Sequence, residues 1–242
     1  MAIMLGRIEA IFRYPVKSMR GEPLDSVPVG WHGLEGDRRL ALRRLNERGG
    51  FPWLSTSSLP ELVLFSPHGL RAEGAEPLPT LVRTPEGEEL PAFGEALAAD
   101  VGRRLGAPVQ MMHLRQGVFD EASLSVITST TVGEVCRLAG IRADMRRFRP
   151  NIVVRSAREV PFEEDEWVGG MLAFGDRDDA PRVAVTLRDI RCAMLNFDPD
   201  DARTSPEMLK AVVRTHENTA GIYGTVTRTG RIAAGDAVLL LR

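Results

Sequence analysis

The two cysteines of the chain differ in their neighbours, and one of them is suited to chemistry. Cys192 ends the run Arg188-Asp189-Ile190-Arg191-Cys192, close to two arginines. Nearby cations favour the thiolate, which is the form that attacks or binds a metal. A thiolate next to positive charge also suits a soft metal carried on an anionic cofactor. A buried structural role is the commoner alternative for a single cysteine, and both interpretations stay open on these residues alone.

Several cations and hydroxyls stand in turn-rich contexts instead of on regular helical faces. A lysine beside a serine, as in Lys17-Ser18, can offer an ammonium and a hydroxyl to a phosphate. Hydroxyls at the start of a helix add free backbone amides, which favour anions. Each such residue, taken singly, is more often an ordinary surface or capping residue. The candidates for anion binding are Lys17, Ser18, Arg38, Thr128, Ser129, Arg149 and Asn151.

Composition and missing signatures exclude most other classes of function. The four histidines show no metal-ligand spacing, and there is no P-loop, dinucleotide-binding glycine fingerprint or G-x-S-x-G elbow. The formal net charge of −2 argues against a nucleic-acid binder. No apolar run approaches the ~20 residues that cross a bilayer, and the N-terminus does not resemble a signal peptide. We therefore expect a cytoplasmic protein without nucleic-acid or membrane partners.

Most of the chain has the pattern of short strands separated by turns that contain glycine or proline. The predicted strands are 7–16, 62–65, 109–114, 124–128, 152–155, 183–187, 222–227 and 237–241. Three helices are expected: one over 95–105, one with a capping box at Thr131 and Glu134 that ends at Gly140, and one from Ser205 to about 214. Cys136 lies on the apolar face of the second helix and is predicted to be a core residue.

This pattern predicts a mainly β fold with a few helices (α+β), built from β-barrels and not from a doubly wound sheet. The polar stretch over 115–121 is the expected boundary between two domains, residues 1–115 and 116–242. The acidic run 163–166 is expected to be a solvated loop.

Five motifs follow one another along nearly the whole chain. They are Tyr14-Pro15-Val16-Lys17-Ser18 with Gly36-Asp37-Arg38, residues 147–154, residues 161–167, Arg191-Cys192 with Asp198-Pro199-Asp200, and residues 230–238. The first is similar to the N-terminal β-barrel module that accompanies MOSC domains, and the others are similar to the MOSC domain itself. The chain thus resembles the molybdenum-cofactor family that includes the mitochondrial amidoxime-reducing component and bacterial reductases of N-hydroxylated bases.

The resemblance implies an N-terminal β-barrel-like module packed on a MOSC β-barrel domain, with a bound molybdenum cofactor of the molybdopterin type. It makes Cys192 the catalytic residue and the protein ligand to molybdenum. The implied cofactor contacts are Lys17, Ser18, Arg38, Thr128, Ser129, Arg149, Asn151 and Arg191. The implied reaction is the reduction of small N-hydroxylated substrates such as amidoximes and N-hydroxylaminopurines. Neither a ferredoxin-like module nor a membrane anchor is recognised here, so the electrons are expected from a separate flavin or iron–sulfur protein.

The sequence departs from the family pattern at two positions. Ser57 stands where relatives often have an arginine, and Ala202 stands where they often have a glycine. Two alternatives to the reductase remain on this evidence. One is a carrier of the cofactor, or a sulfur-transfer module, without reductase activity. The other is a β-barrel scaffold that has lost its cofactor site.

Overall fold

The computed structural model describes residues 2–70 and 77–241. In chain order its strands are β1 (Ala2–Arg13), β2 (Glu22–Leu24), β3 (Ser26–Gly30), β4 (Gly33–Leu34), β5 (Leu40–Arg44), β6 (Ser66–Leu70), β7 (Pro79–Arg83), β8 (Glu89–Pro91), β9 (Val109–His113), β10 (Leu124–Thr128), β11 (Ile152–Ser156), β12 (Met171–Phe174), β13 (Arg182–Ile190), β14 (Thr219–Arg228), β15 (Gly230–Ala233) and β16 (Ala237–Leu241). The helices are α1 (Glu95–Leu105), α2 (Ser129–Ala139) and α3 (Glu207–Thr215), with 3-10 helices at Pro60–Leu64, Met145–Phe148, Glu163–Trp167 and Ala193–Asn196. The predicted mainly β fold with a few helices is confirmed.

Seven strands close into a β-barrel in the order β11-β10-β14-β13-β12-β16-β1. Closure depends on β1, which pairs with β16 near its start and with β11 towards its end. Gly6 permits this change of partner, because a Cβ there would lie 2.1 Å from the Arg155 carbonyl oxygen. The barrel interior is filled by alternating apolar side chains, among them Ile8, Phe174 and Val183.

The segment between β5 and β9 builds a second apolar core. Strand β5 pairs with β9, and β6, β7 and β8 form an antiparallel sheet of their own. Helix α1 packs Leu97 and Val101 into a cluster with Leu62 and Phe65. Strand β1 nevertheless belongs to the barrel, so the grouping of strands in space differs from their order along the chain. The division at residue 115 stays a prediction.

Three local expectations need correction. Helix α2 starts before the predicted capping box at Thr131, because Thr128 is the N-cap and its side chain accepts the Thr131 N–H. Helix α3 begins after Pro206, one residue later than the expected Ser205 cap. The predicted strand 62–65 is wrong, since most of it lies in the 3-10 helix Pro60–Leu64. Its proline has no N–H for a strand ladder and has a φ suited to a first helical turn.

The expected solvated loop at 163–166 is wrong for Glu163 and Glu164, which are buried in a 3-10 helix. Glu164 Oε2 accepts hydrogen bonds from Thr128 Oγ1 at 3.0 Å and from Thr131 Oγ1 at 2.9 Å. Burial raises the pKa of Glu164 to about 7. These hydrogen bonds place the carboxyl group at the N-terminus of α2, where the free N–H groups of a helix favour negative charge. The effect of burial on this pKa is larger than the opposite effect of the hydrogen bonds.

Candidate functional site

A cleft with a volume of about 360 Å³ lies where N-terminal segments meet the barrel. One side comes from the segment after β1, from Arg38 and from the loop over 51–57. The other side comes from residues around β10, from the end of β13 with the 3-10 helix after it, and from Tyr223 on β14. The cleft therefore combines residues as far apart in the sequence as Lys17 and Tyr223.

The Cys192 thiol lines this cleft and is exposed. It follows β13 and precedes the 3-10 helix Ala193–Asn196. Its neighbour Arg191 forms an ion pair with Asp189 and donates a second hydrogen bond to the Phe148 carbonyl oxygen. Cys136, in contrast, is fully buried on α2, as predicted from its apolar surroundings. Only Cys192 is therefore open to a ligand.

Lys17 and Ser18 enter the cleft from the segment after β1. The backbone N–H of Lys17 donates to the Leu40 carbonyl oxygen at 2.8 Å, and its Nζ donates to Asp120 Oδ1 at 2.8 Å. Burial raises the pKa of Asp120, but the charge and hydrogen bond of Lys17, together with the charges of Arg38 and Arg149, outweigh burial, so this pKa lies below its usual range. An ionised Asp120 thus holds the ammonium of Lys17 at the cleft.

Arg38 lines the cleft, whereas Asn151 lies behind it and holds Arg38 in place. Arg38 donates from Nη1 to Asp37 Oδ2 at 2.5 Å and more weakly to Asn151 Oδ1 at 3.4 Å. Its Nη2 donates to the Arg149 carbonyl oxygen at 3.1 Å. Asn151 Oδ1 also accepts the Ser125 N–H at 3.1 Å. Asn151 is therefore placed to position a cation, and it does not itself line the cleft.

Arg149 stacks on the Tyr14 ring, with its Cζ 4.1 Å from the ring centroid. Its Nη1 donates to the Met19 carbonyl oxygen at 2.7 Å. Its Nη2 is buried and has no hydrogen-bond partner in residues 2–70 and 77–241. Burial lowers the pKa of Arg149 to about 10, so the guanidinium is still charged at neutral pH. A charged donor at the cleft is thus left for a ligand to satisfy.

Three of the expected anion-binding residues share an unusual backbone conformation. Ser18, Arg38 and Arg149 have φ angles of 67°, 51° and 51°. This left-handed region costs a residue with a Cβ roughly 1–2 kcal/mol, and such strain clusters at ligand sites. The backbone therefore holds these three side chains in directions that a relaxed turn would not give.

Two expected residues, Thr128 and Ser129, do not line the cleft. Thr128 is fully buried, and its hydroxyl caps α2 and donates to Glu164. Ser129 is the first residue of α2. In this structure the two residues belong to the start of the helix and not to the wall around Cys192.

Several cleft residues were not predicted from the sequence, among them Asp120, Asp189, Tyr223 and Thr56 of the loop 55–57. Asp189 accepts from Ser125 Oγ at 3.0 Å, and burial raises its pKa. Thr56 Oγ1 lies 2.9 Å from Met194 Sδ and ties the loop to the segment after Cys192. The loop brings Ser57 to the cleft, at the position where relatives often have an arginine. In the sequence Asp189 stands between Arg188 and Arg191, and this alternation of charge is the one local pattern that could have indicated a role for Asp189 at the site.

The sequence profile of the MOSC domain matches residues 103–239. The chain belongs to the MOSC-domain family. This confirms the resemblance drawn from the motifs, and it places the chain in a family of domains like the C-terminal domain of molybdenum-cofactor sulfurases. No curated protein matches the chain.

The solved structure of YuaD supports the fold of this MOSC protein. YuaD from Bacillus subtilis superposes with a TM-score of 0.53 at 14% identity, over 99% of this chain and 97% of that chain. YiiM from Geobacillus stearothermophilus gives a TM-score of 0.39 at 20% identity, over 50% of this chain and 54% of that chain. At 14% identity the likeness to YuaD concerns the fold alone.

Two features are absent from residues 2–70 and 77–241. No helix there is long and apolar enough to cross a membrane. Within the same residues, no three histidine, cysteine, aspartate or glutamate side chains are grouped so that they would hold a metal ion.

Proposed function

We propose that this MOSC protein binds a molybdenum cofactor in the cleft and reduces small N-hydroxylated compounds with electrons from a separate redox protein. The observation that carries the proposal is the meeting of an exposed thiol with four cations in one cleft. The residues concerned are Cys192, Lys17, Arg38, Arg149 and Arg191.

These side chains fit a cofactor that carries a phosphate and a metal. A phosphate dianion requires fixed positive partners, and Lys17, Arg38 and Arg149 are each fixed by hydrogen bonds to carboxylate or backbone oxygens. The unpartnered Arg149 Nη2 is a donor that an anionic oxygen would satisfy. Cys192 offers a soft sulfur ligand for molybdenum. The donor set thus matches both ends of such a cofactor.

When bound, the molybdenum cofactor would supply the two-electron reduction that breaks the nitrogen–oxygen bond. The net change converts R=N–OH, two electrons and two protons into R=NH and water. In this account Lys17, Ser18 and Arg38 bind and orient the cofactor, and Asn151 positions Arg38. Burial raises the pKa of Tyr223, and its protonated Oη donates to the Asp189 carboxylate in the wall of the cleft.

Two apolar side chains suit the substrates named above. Phe51 and Ile190 line the cleft and are exposed. Exposed apolar surface at a polar cleft favours a ligand with an aromatic or aliphatic body. The electrons would come from a flavin or iron–sulfur protein, because two cysteines are too few to hold an iron–sulfur cluster in this chain.

The direct test is turnover by protein purified from a host that makes the cofactor. Reduced methyl viologen would serve as electron donor, with benzamidoxime and 6-N-hydroxylaminopurine as substrates. We expect benzamidine and adenine as products, loss of turnover in Cys192→Ala, and retained turnover in Cys136→Ala. Cofactor-loaded protein that reduces no N-hydroxylated compound contradicts the proposal. Transfer of the cofactor to an apo-enzyme without any reductase activity would favour the carrier.

A further inference from the structure

A second cavity, of about 460 Å³, shares Arg149 and Met194 with the cleft but is otherwise lined by different residues. We call it the rear cavity. Its apolar walls include Phe12, Val63 and Phe197, and its polar walls include Tyr14 and three further arginines. The volume lies within the range of small-molecule sites, and the mixed lining is typical of them.

Tyr14 has a polar group without a partner in the wall of this cavity. The residue is 2% exposed, and its Oη has no hydrogen-bond partner in the described part of the chain. Gly21 packs so closely on the ring that a Cβ there would lie 2.3 Å from Tyr14 Cε1, so the ring is held in position. Burial raises the pKa of Tyr14 to about 12, and the hydroxyl therefore remains a donor at neutral pH. A buried donor left unsatisfied is costly unless something accepts its hydrogen bond.

The charges around the rear cavity favour a ligand with one negative charge. Arg146 pairs with Asp144 at 2.7 Å and with Asp200 at 2.6 Å, Arg20 approaches Asp200 at 3.5 Å, and Arg147 pairs with Asp198. Glu22, an acid that lines the cavity, is bound by Arg13. Apart from this pair, the three carboxylates of Asp144, Asp198 and Asp200 are matched by four guanidinium groups, those of Arg20, Arg146, Arg147 and Arg149. Arg149 is the cation that has no carboxylate within ion-pair distance among residues 2–70 and 77–241.

We propose that the rear cavity binds a small aromatic monocarboxylate, which accepts hydrogen bonds from Tyr14 Oη and the Arg149 guanidinium and packs its ring against the apolar wall. The rear cavity and the cleft share Arg149, but Tyr14 lines only the rear cavity and Lys17 lines only the cleft, so substitutions at these two positions distinguish the sites. The inference does not rest on the proposed reductase activity, since it concerns the chain without its cofactor.

The test is isothermal titration calorimetry of the full chain with benzoate. Benzamide serves as the neutral ligand of the same shape. Tyr14→Phe removes only the hydroxyl, and Lys17→Met removes a charge from the cleft.

We expect benzoate to bind the unmodified chain more tightly than benzamide, because a hydrogen bond to a charged acceptor is stronger. We expect its affinity to fall roughly tenfold or more in Tyr14→Phe and to stay unchanged in Lys17→Met. Equal affinity in Tyr14→Phe, or a loss confined to Lys17→Met, overturns the proposal.

A second measurement separates a ligand-binding hydroxyl from a structural one. If Tyr14 Oη is kept for a ligand, Tyr14→Phe removes an unsatisfied buried group, and the urea midpoint of the ligand-free chain rises. Tyr223→Phe is the matched control, because the Tyr223 hydroxyl interacts with the Asp189 carboxylate and its removal should lower the midpoint. A lower midpoint in Tyr14→Phe would assign the hydroxyl a structural role and contradict the proposal.

Discussion

The regions around the two cysteines show how strongly surroundings decide what one residue type does. Cys136 lies on α2 within an apolar cluster that includes Val132, Phe148 and Met208, and burial raises the pKa of its thiol. Cys192 lies after a barrel strand, at the surface of a cleft that contains four cations. The first thiol fills space, and the second is open to a ligand. A thiol at the end of a strand is placed for chemistry when charged residues from distant segments converge on it.

The largest difference between the two regions should appear in thiol reactivity. Cys192 should react with iodoacetamide in the native protein, whereas Cys136 should react only after the chain opens. Opening that requires the typical global stability of 5 kcal/mol or more slows the reaction about a thousandfold or more. Mass-spectrometric mapping of the labelled peptides over time measures both rates. Comparable rates at the two positions would contradict the contrast in burial.

The next largest effect concerns the pH dependence of stability. It arises from Glu164, which lies at the N-terminus of α2, the helix that carries Cys136. Its pKa, about 7 in the folded chain, exceeds the ordinary value of roughly 4.3. Between these values the folded chain binds a proton that the unfolded chain releases. Stability from this group is therefore fully present below about pH 4 and is lost as the pH rises towards 7.

Glu164→Gln should remove this loss, which is on the order of 3 kcal/mol. Urea unfolding from pH 5 to pH 8 would measure it as the difference between wild type and Glu164→Gln in how steeply the free energy of unfolding changes with pH. Glu166→Gln, at an exposed carboxylate in the same 3-10 helix, is the control. Identical pH slopes in wild type and Glu164→Gln would show that this carboxyl is ionised throughout.

A smaller effect distinguishes the two lysines of the chain, Lys17 in the cleft and Lys210 on α3. Lys17→Met removes a charged donor, which is worth about 1.5–3 kcal/mol, so the cofactor should bind roughly 10- to 100-fold more weakly. Lys210→Met removes an exposed lysine paired with Glu207 and should leave binding unchanged. Pterin retained after gel filtration, followed by fluorescence, reports both. An equal effect of the two variants would argue against a cofactor in the cleft.

The smallest expected effect is that of Cys136→Ala. The substitution removes one buried sulfur and leaves a small cavity, which costs about 1 kcal/mol of stability. The midpoint of urea unfolding should fall slightly, with no change in metal content. Cys192→Ala, at an exposed position, should leave the midpoint nearly unchanged. A reversed order of the two midpoints would contradict the assignment of Cys136 to the core.

The sequence predicted much of the fold because local patterns control it. The helix over 95–105 and the strands 124–128 and 237–241 agree with the structure to the residue, since apolar spacing and glycine stops are local signals. The pairing of β1 with β16 could not be predicted, because it joins the two ends of the chain. The same holds for Thr128 and Glu164, whose partnership depends on tertiary packing.

The candidate site was predicted in part. Lys17, Ser18, Arg38, Arg149, Arg191 and Cys192 were all expected, and the structure brings them to one cleft. The left-handed backbone of Ser18, Arg38 and Arg149 and the supporting carboxylates have no local signature. At Ala202 the family pattern has a physical reason. The φ of this residue is 59°, a backbone conformation that favours glycine, and glycine is the residue that relatives often have at this position.

The central claim is that the cleft holds a molybdenum cofactor through Cys192. Its most direct test is the molybdenum and pterin content per chain of protein purified from a cofactor-making host, measured for wild type, Cys192→Ala and Cys136→Ala. The account predicts nearly one molybdenum per chain in wild type and Cys136→Ala, with the metal lost in Cys192→Ala. Metal that remains in Cys192→Ala, or metal and pterin absent from all three proteins, would contradict it.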